Sequence, residues 1–227
     1  VSFTNTRNGI NYDTSDPTLV QDDYFRYKEQ IYALYADYSR EYSERFTMQL
    51  GLRMEHTRTT GISEAKDTED KHDYTRLFPT VYLLYSPTDG HALNFSFSNR
   101  ISRPSQNMVN PFPFYQNRYT YACGREDLKP SYTYNAELGY TLKNNFNVSA
   151  YYSYSDDVFF QVVDLDAETN VTSFLWENFM KTHAFGLNNS YTFRTKWLQA
   201  YAQHGVSYRR TTSSAVTTSP EEKGWAY

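Results

Sequence analysis

Four charged residues stand where they could act together. Arg53 and Glu55 are two apart in a strictly alternating segment, and Arg100 and Glu137 fall on the polar side of two further segments. If those segments are strands, all four share one face. There they would form either a charged lining that meets a solute or cross-strand ion pairs that satisfy a wet interior. A second group, Phe112, Phe114, Tyr115, Tyr119 and Tyr121, lies in a proline-punctuated stretch. Its rings could stack on a planar or sugar-like ligand, or pack against one another. Both groups suggest binding.

Covalent chemistry finds less support. The histidines at 56, 72, 91, 183 and 204 have no HExxH or other metal spacing, and no serine sits in a GxSxG elbow. No catalytic residue is assigned, and the chain reads as a non-enzyme. Asp164, Asp166, Glu168 and Asn170 alternate as in a calcium loop, but Ala167 to Thr169 lack the turn glycine and Leu175 stands where the bidentate acid belongs. A solvated hairpin is the expected alternative, with no metal or cofactor. Glu64, Asp67, Glu69, Asp70 and Asp73, interspersed with Lys66 and Lys71, read as a solvated acidic loop. Lys and Arg number 22 against 26 Asp and Glu, a net charge of −4 with no basic cluster, which argues against a nucleic-acid partner. The single Cys123 excludes an internal disulfide and a multi-cysteine zinc site.

The elements that would carry these residues are strands. Among 227 residues, 18% are aromatic, with 23 Tyr and 15 Phe, a β-rich usage. Phe46, Met48, Leu50, Leu52 and Met54 alternate with Thr47, Gln49, Gly51, Arg53 and Glu55. The same period recurs from Leu93 to Phe97, from Tyr132 to Leu142 and from Phe146 to Tyr154, where Tyr151 breaks it. Tyr24 to Tyr38, Tyr74 to Tyr85 and Trp197 to Arg210 read as strands with large side chains on both faces.

Short polar links at 39–44, 87–90, 143–145 and 194–196 alternate with long polar stretches at 59–73, 104–130 and 211–223. For that alternation to persist, 171–193 must be one long strand returning from a hairpin at 164–170, bulged near 178–182. Short turns at one end and long loops at the other are how outer-membrane barrels are built. In the four clean strands the apolar face carries no charge between its ends, and aromatics such as Tyr38, Tyr42, Tyr85, Phe193 and Trp197 gather beside the short turns. A soluble β-sandwich or lipocalin-like barrel would show the same strand pattern with its faces inverted. Loop asymmetry and the aromatic girdle favour the membrane. The first residues lack a leader and 224–227 look like the start of another strand, so the chain reads as a fragment.

A family resemblance follows from a series of short motifs. These are Tyr27 to Ala33, Gly51 to Glu55, Leu77 to Thr80, Arg100 to Pro104, Asn110-Pro111-Phe112, Gly124, Leu128-Lys129-Pro130 and Glu137 to Tyr140. In order and spacing they resemble the Bacteroidetes outer-membrane β-barrel family related to TonB-dependent receptors. Gly124-Arg125-Glu126 departs from the usual Gly-Asn-Pro. The resemblance implies an all-β, antiparallel, up-and-down transmembrane barrel of about 22 strands in a Gram-negative outer membrane. Residues 1–227 would supply about 8–10 of those strands, with the plug and TonB-contact segment upstream. It further implies nutrient uptake, with membrane lipid, TonB, the plug, a surface lipoprotein and an unknown nutrient as partners. A non-transporting surface barrel of structural, adhesive or secretory role is the runner-up, and a soluble β-sandwich binding domain the third reading.

Overall fold

A computed structural model describes residues 2–10, 23–63, 68–214 and 220–227. The wall begins with β1 (Ser2–Ile10), β2 (Asp23–Ser43), β3 (Phe46–Ser63), β4 (Thr68–Tyr85) and β5 (His91–Ser102). A long link then holds helix α1 (Gln106–Val109) and the hairpin β6 (Phe114–Asn117) and β7 (Thr120–Cys123). The wall resumes with β8 (Ser131–Leu142), β9 (Phe146–Asp166), β10 (Val171–Arg194), β11 (Gln199–Ser213) and β12 (Glu221–Ala226). All twelve strands belong to one sheet, and its ten wall strands follow sequence order, each antiparallel to the next. A sandwich needs two stacked sheets. The described strands form one, with eight long strands between the shorter β1 and β12.

Register puts like residues beside like. Tyr38, Leu50, Val81, Phe97, Ala136, Tyr152, Phe185, Tyr208 and Trp225 are successive partners across nine strands, and none is charged. A one-residue slip of β5 or β8 would put Ser96 or Ser98, or Asn135 or Glu137, into this row. The polar face has its own regularity. Gly51, Gly139, Gly186 and Gly205 each lie opposite a larger partner, Thr80, Asn94, Tyr151 and Asn188, whose side chain covers the space a Cβ would need. Tyr151, which breaks the alternation of β9, is the residue that lies over Gly186.

Three short turns, at 86–90, 143–145 and 195–198, sit close to the expected links, whereas the one expected at 39–44 narrows to Glu44 and Arg45 because β2 runs on to Ser43. Lys143 and Asn144 both have positive φ, 49° and 55°, the geometry of the tight two-residue turn whose twist matches a hairpin. The predicted long return strand is β10, and its register against β9 shifts between Asn178 and Met180 and again between Met180 and Thr182.

The long loops need correction. β3 runs to Ser63 and β4 starts at Thr68, so most of 59–73 is strand. Glu69, Asp70, Lys71 and Asp73 stand on β4, while Glu64, Lys66 and Asp67 lie outside the described residues. Alternation fades there because the outward face carries polar side chains while the inward positions Thr57, Thr59 and Ser63 are buried without being apolar, so neither face is hydrophobic. Cross-strand pairs take over, and Arg58 Nε meets Asp73 Oδ2 at 2.9 Å. Likewise β11 extends to Ser213 and β12 begins at Glu221. The link after β5 is a folded unit.

Candidate functional site

The link turns back over the polar face. Phe25 is on that face of β2, opposite Ser63 on β3, and is 1% exposed. Val109, Phe112 and Leu128 bury themselves against it, with Tyr27, Met108, Phe159 and Trp176 around them. The Phe25 and Phe112 rings meet edge to face, 6.3 Å between centroids. Burying Phe112 alone stabilises the link by about 2 kcal/mol.

Backbone contacts set the link's shape. Gly124 N donates to Asn110 O and Arg125 N to Met108 O, each at 2.8 Å, and Phe112 N donates to Asn110 Oδ1 at 3.1 Å. Arg125 departs from the family pattern without disturbing this turn. It donates to Asp127 at 2.6 Å and Glu177 at 2.9 Å, pinning the link to β10. Asn178 completes the clamp. Its side-chain amide accepts from Lys129 N at 2.8 Å and donates to Lys129 O at 2.9 Å and Asp157 O at 2.7 Å. At the far end β7 pairs in parallel with β10 from Thr172 to Leu175, beyond the point where β11 leaves that edge. An edge that would otherwise stand open is thereby covered.

Beneath the link lies a charge cluster. Arg103, at the end of β5, donates from Nη2 to Glu55 Oε2 at 2.6 Å and to Thr57 Oγ1 at 3.3 Å, while its Nε lies 3.7 Å from Glu29 Oε1. Arg53 Nε reaches the other oxygen of Glu55 at 3.4 Å and lays its guanidinium over Phe78, 4.9 Å from the centroid. Glu55 is only 6% exposed, and each of its carboxylate oxygens is met by one of these two arginines. Burial pushes the Glu29 carboxyl above its ordinary value; Arg103 opposes this and Glu55 adds to it. Burial also pushes the Tyr27 and Tyr74 hydroxyls up. All three stand beyond the apolar band, whose last row here is Leu34, Met54 and Leu77.

Cluster and link enclose a cavity of about 380 Å³, lined among others by Tyr27, Glu29, Tyr74, Arg76, Arg103, Leu128 and Tyr132. It offers phenol hydroxyls, both signs of charge and an apolar floor, a mixture suited to an uncharged or zwitterionic polar solute.

The predicted residues divide accordingly. Arg53 and Glu55 belong to the cluster. Arg100 and Glu137 are on the polar face but exposed and apart from it, opposite Thr133 and Ser96 respectively. Phe112 is buried in the link's core, and the Tyr115 and Tyr121 rings meet at a tilt, 5.5 Å between centroids. Phe114 and Tyr119 are exposed on the hairpin. Sequence reasoning missed Arg103, Glu29, Tyr27 and Tyr74 as a site. The available signal was that Glu29 and Arg103 sit inside the family-like motifs Tyr27 to Ala33 and Arg100 to Pro104.

In the 164–170 hairpin, Asp166 serves the turn itself. Its Oδ1 accepts from Glu168 N at 2.9 Å and its Oδ2 from Thr169 Oγ1 at 2.7 Å, which holds its carboxyl below the usual range. Among the described residues no group of three or more His, Cys, Asp or Glu side chains could hold a metal ion.

Comparison with known proteins identifies the architecture. The model of the outer membrane protein beta-barrel family matches residues 1–227. No curated protein matches the chain. Among solved structures, the Serratia marcescens hemophore receptor HasR, in complex with its hemophore HasA and heme, superposes with TM-score 0.58 at 12% identity, over 94% of this chain and 41% of that one. The Pseudomonas aeruginosa siderophore receptor PirA gives 0.51 at 11% identity, over 90% and 50%. The Neisseria meningitidis iron transporter FrpB gives 0.52 at 17%, over 89% and 30%. The chain thus spans half or less of the length of each, and at these identities the likeness is one of fold.

Proposed function

Because this chain belongs to the outer membrane protein beta-barrel family, and so lies in the outer membrane of a Gram-negative bacterium, we propose that it is part of the wall of a nutrient-uptake barrel. The observation that carries this reading is the link of 104–130 folded over the polar face, which leaves a lined cavity on the side that becomes the lumen when the wall closes. A purely structural or adhesive barrel has no need of such a cavity. The barrels it resembles in fold are named as a siderophore receptor, an iron transporter and a hemophore receptor, which supports uptake as the general activity. Arg53, Glu55 and Arg103 shape the passage, Arg100 and Glu137 line it, and Phe114, Tyr115, Tyr119 and Tyr121 offer first contacts outside. No residue of the wall performs covalent chemistry. A plug and a TonB-contact segment belong to the longer protein, and energy reaches the passage through them.

The test uses the full-length protein in cells. A strain lacking the gene and its complemented counterpart are given a mixture of siderophores, haem and oligosaccharides, and depletion of each is followed by mass spectrometry with and without a protonophore. Uptake predicts that one solute class disappears only when the protein is present and the inner membrane is energised. Equal depletion of every class by both strains would defeat the reading.

A further inference from the structure

The outward face of β10, β11 and β12 changes character in steps. Leu187 and Val206 are partners in the apolar band. One step toward the long-loop end, Phe185, Tyr208 and Trp225 are successive partners and form a closed aromatic cluster, with centroids 5.3, 5.0 and 6.0 Å apart. One step further the successive partners are His183, Arg210 and Lys223. These residues share the parity of the apolar face, so none points into the lumen. His183 stands eleven residues from Arg194 at the short-turn end of β10. On a strand tilted near 40° this is a height of about 28 Å, the upper edge of the hydrocarbon band.

We propose that Arg210 and Lys223, above the Phe185, Tyr208 and Trp225 platform, bind the phosphorylated headgroup of an outer-leaflet glycolipid. Three observations fit that occupant. Rings below and cations above match a lipid whose acyl chains meet the sheet and whose phosphate sits at the water boundary. Charge is complementary: Glu221 pairs with both cations, 3.1 Å from Arg210 Nε and 3.7 Å from Lys223 Nζ, so two positive charges share one carboxylate and a net positive charge remains. Lys181, the next basic residue on this face, is paired with Asp156 at 3.1 Å and drops out of the balance. The edge of the site toward β9 is also closed, because the Tyr154 ring stacks on His183 at 4.7 Å and Tyr152 Oη lies 2.8 Å from His183 Nδ1. A headgroup phosphate therefore faces Arg210 and Lys223.

The experiment uses the full-length protein in detergent, titrated with bisphosphorylated lipid A, its dephosphorylated counterpart and phosphatidylglycerol, with bound lipid counted by native mass spectrometry. Wild type is expected to retain the bisphosphorylated lipid in preference to both others. The double variant Arg210→Gln with Lys223→Gln is expected to bind it about thirtyfold more weakly. Arg209→Gln, on the lumen face, should leave retention unchanged. Heat-modifiable gel mobility reports whether each variant is folded, and the wild-type comparison of phosphorylated with dephosphorylated lipid stands even if the double variant is not. The proposal fails if wild type does not distinguish these two lipids, if phosphatidylglycerol competes equally, or if the folded double variant binds as wild type does.

Discussion

Arg103 Nη2 lies 2.6 Å from Glu55 Oε2, so the last residue before the long link is fastened to the middle of a strand 48 positions earlier. The same guanidinium faces Glu29 on a third strand. Removing it leaves two carboxylates sharing a half-closed site. Arg103→Gln is expected to cost about 3 kcal/mol, the usual loss when one partner of a buried pair is deleted. In the full-length protein the readout is the rate at which a protease cuts within 104–130. Replacing Arg103 and Glu55 together by Met should cost less than the single change. Equal cutting of the single variant and wild type would show that the pair does not hold the link.

Gly124 is a sharper probe of the same unit. A Cβ there would collide with Asn110 O and lie 2.6 Å from Met108 O and 2.7 Å from Asn110 N, all backbone atoms that cannot swing aside. At Gly186 the clash, 2.6 Å to Tyr151 Cε1, is with a ring that can turn away, and at Gly224 nothing lies within 4 Å. The expected order of damage is therefore Gly124→Ala, then Gly186→Ala, then Gly224→Ala, the last within about 0.5 kcal/mol of neutral. Urea denaturation of folded full-length protein gives the order, and parity of the first and third would refute it.

What could be read in advance depended on what surrounds each segment. Between Phe46 and Glu55 lipid lies on one side and water on the other, and the sequence must alternate. Beyond Glu55 the outward face turns polar and the inward one is buried through small hydroxyl residues, Thr57, Thr59 and Ser63, so the contrast lapses, and β3 and β4 looked like loop. The length and bulge of β10 were legible because direction must alternate along a meander. Tyr151 looked like an error in β9 until its partner, Gly186, was known. The site was opaque for a related reason. Glu29, Glu55, Arg103, Phe112 and Leu128 are dispersed through 100 residues and meet only after the link folds back, and no local pattern records such a meeting. Their membership in family-like motifs marked them without saying why.

Glu29 makes the link sensitive to pH. Its folded-state pKa is raised, by burial first and then by Glu55, so folding favours the protonated form. For such a group the contribution to stability is fully present below the ordinary carboxylate value and is lost as pH rises through the raised one. Protection of 104–130 from protease is thus expected to be greater at pH 4.5 than at pH 7. Glu29→Gln should flatten that dependence and keep the acidic-side protection at neutral pH. A variant whose pH profile parallels that of wild type would assign the dependence elsewhere.

Asn178 is a further fastening, and its chemistry distinguishes donor from acceptor. The amide nitrogen serves two carbonyls, Lys129 O and Asp157 O, while the amide oxygen takes the Lys129 N–H. Asn178→Asp keeps the acceptor and the shape but turns a carboxylate oxygen toward both carbonyls, losing two hydrogen bonds and adding repulsion. Asn178→Ala loses all three bonds yet leaves room for water, which can satisfy the groups left behind. Aspartate is therefore expected to loosen the link more than alanine does, by about 1 kcal/mol. Hydrogen exchange at the Lys129 amide separates the effects. Aspartate can still accept from that N–H, so exchange there should accelerate through undocking of the whole stretch, together with its neighbours in 125–131. In the alanine variant the Lys129 amide should accelerate while its neighbours remain near wild-type rates. Faster exchange across 125–131 in alanine than in aspartate would show that the oxygen, not the nitrogen, holds the link in place.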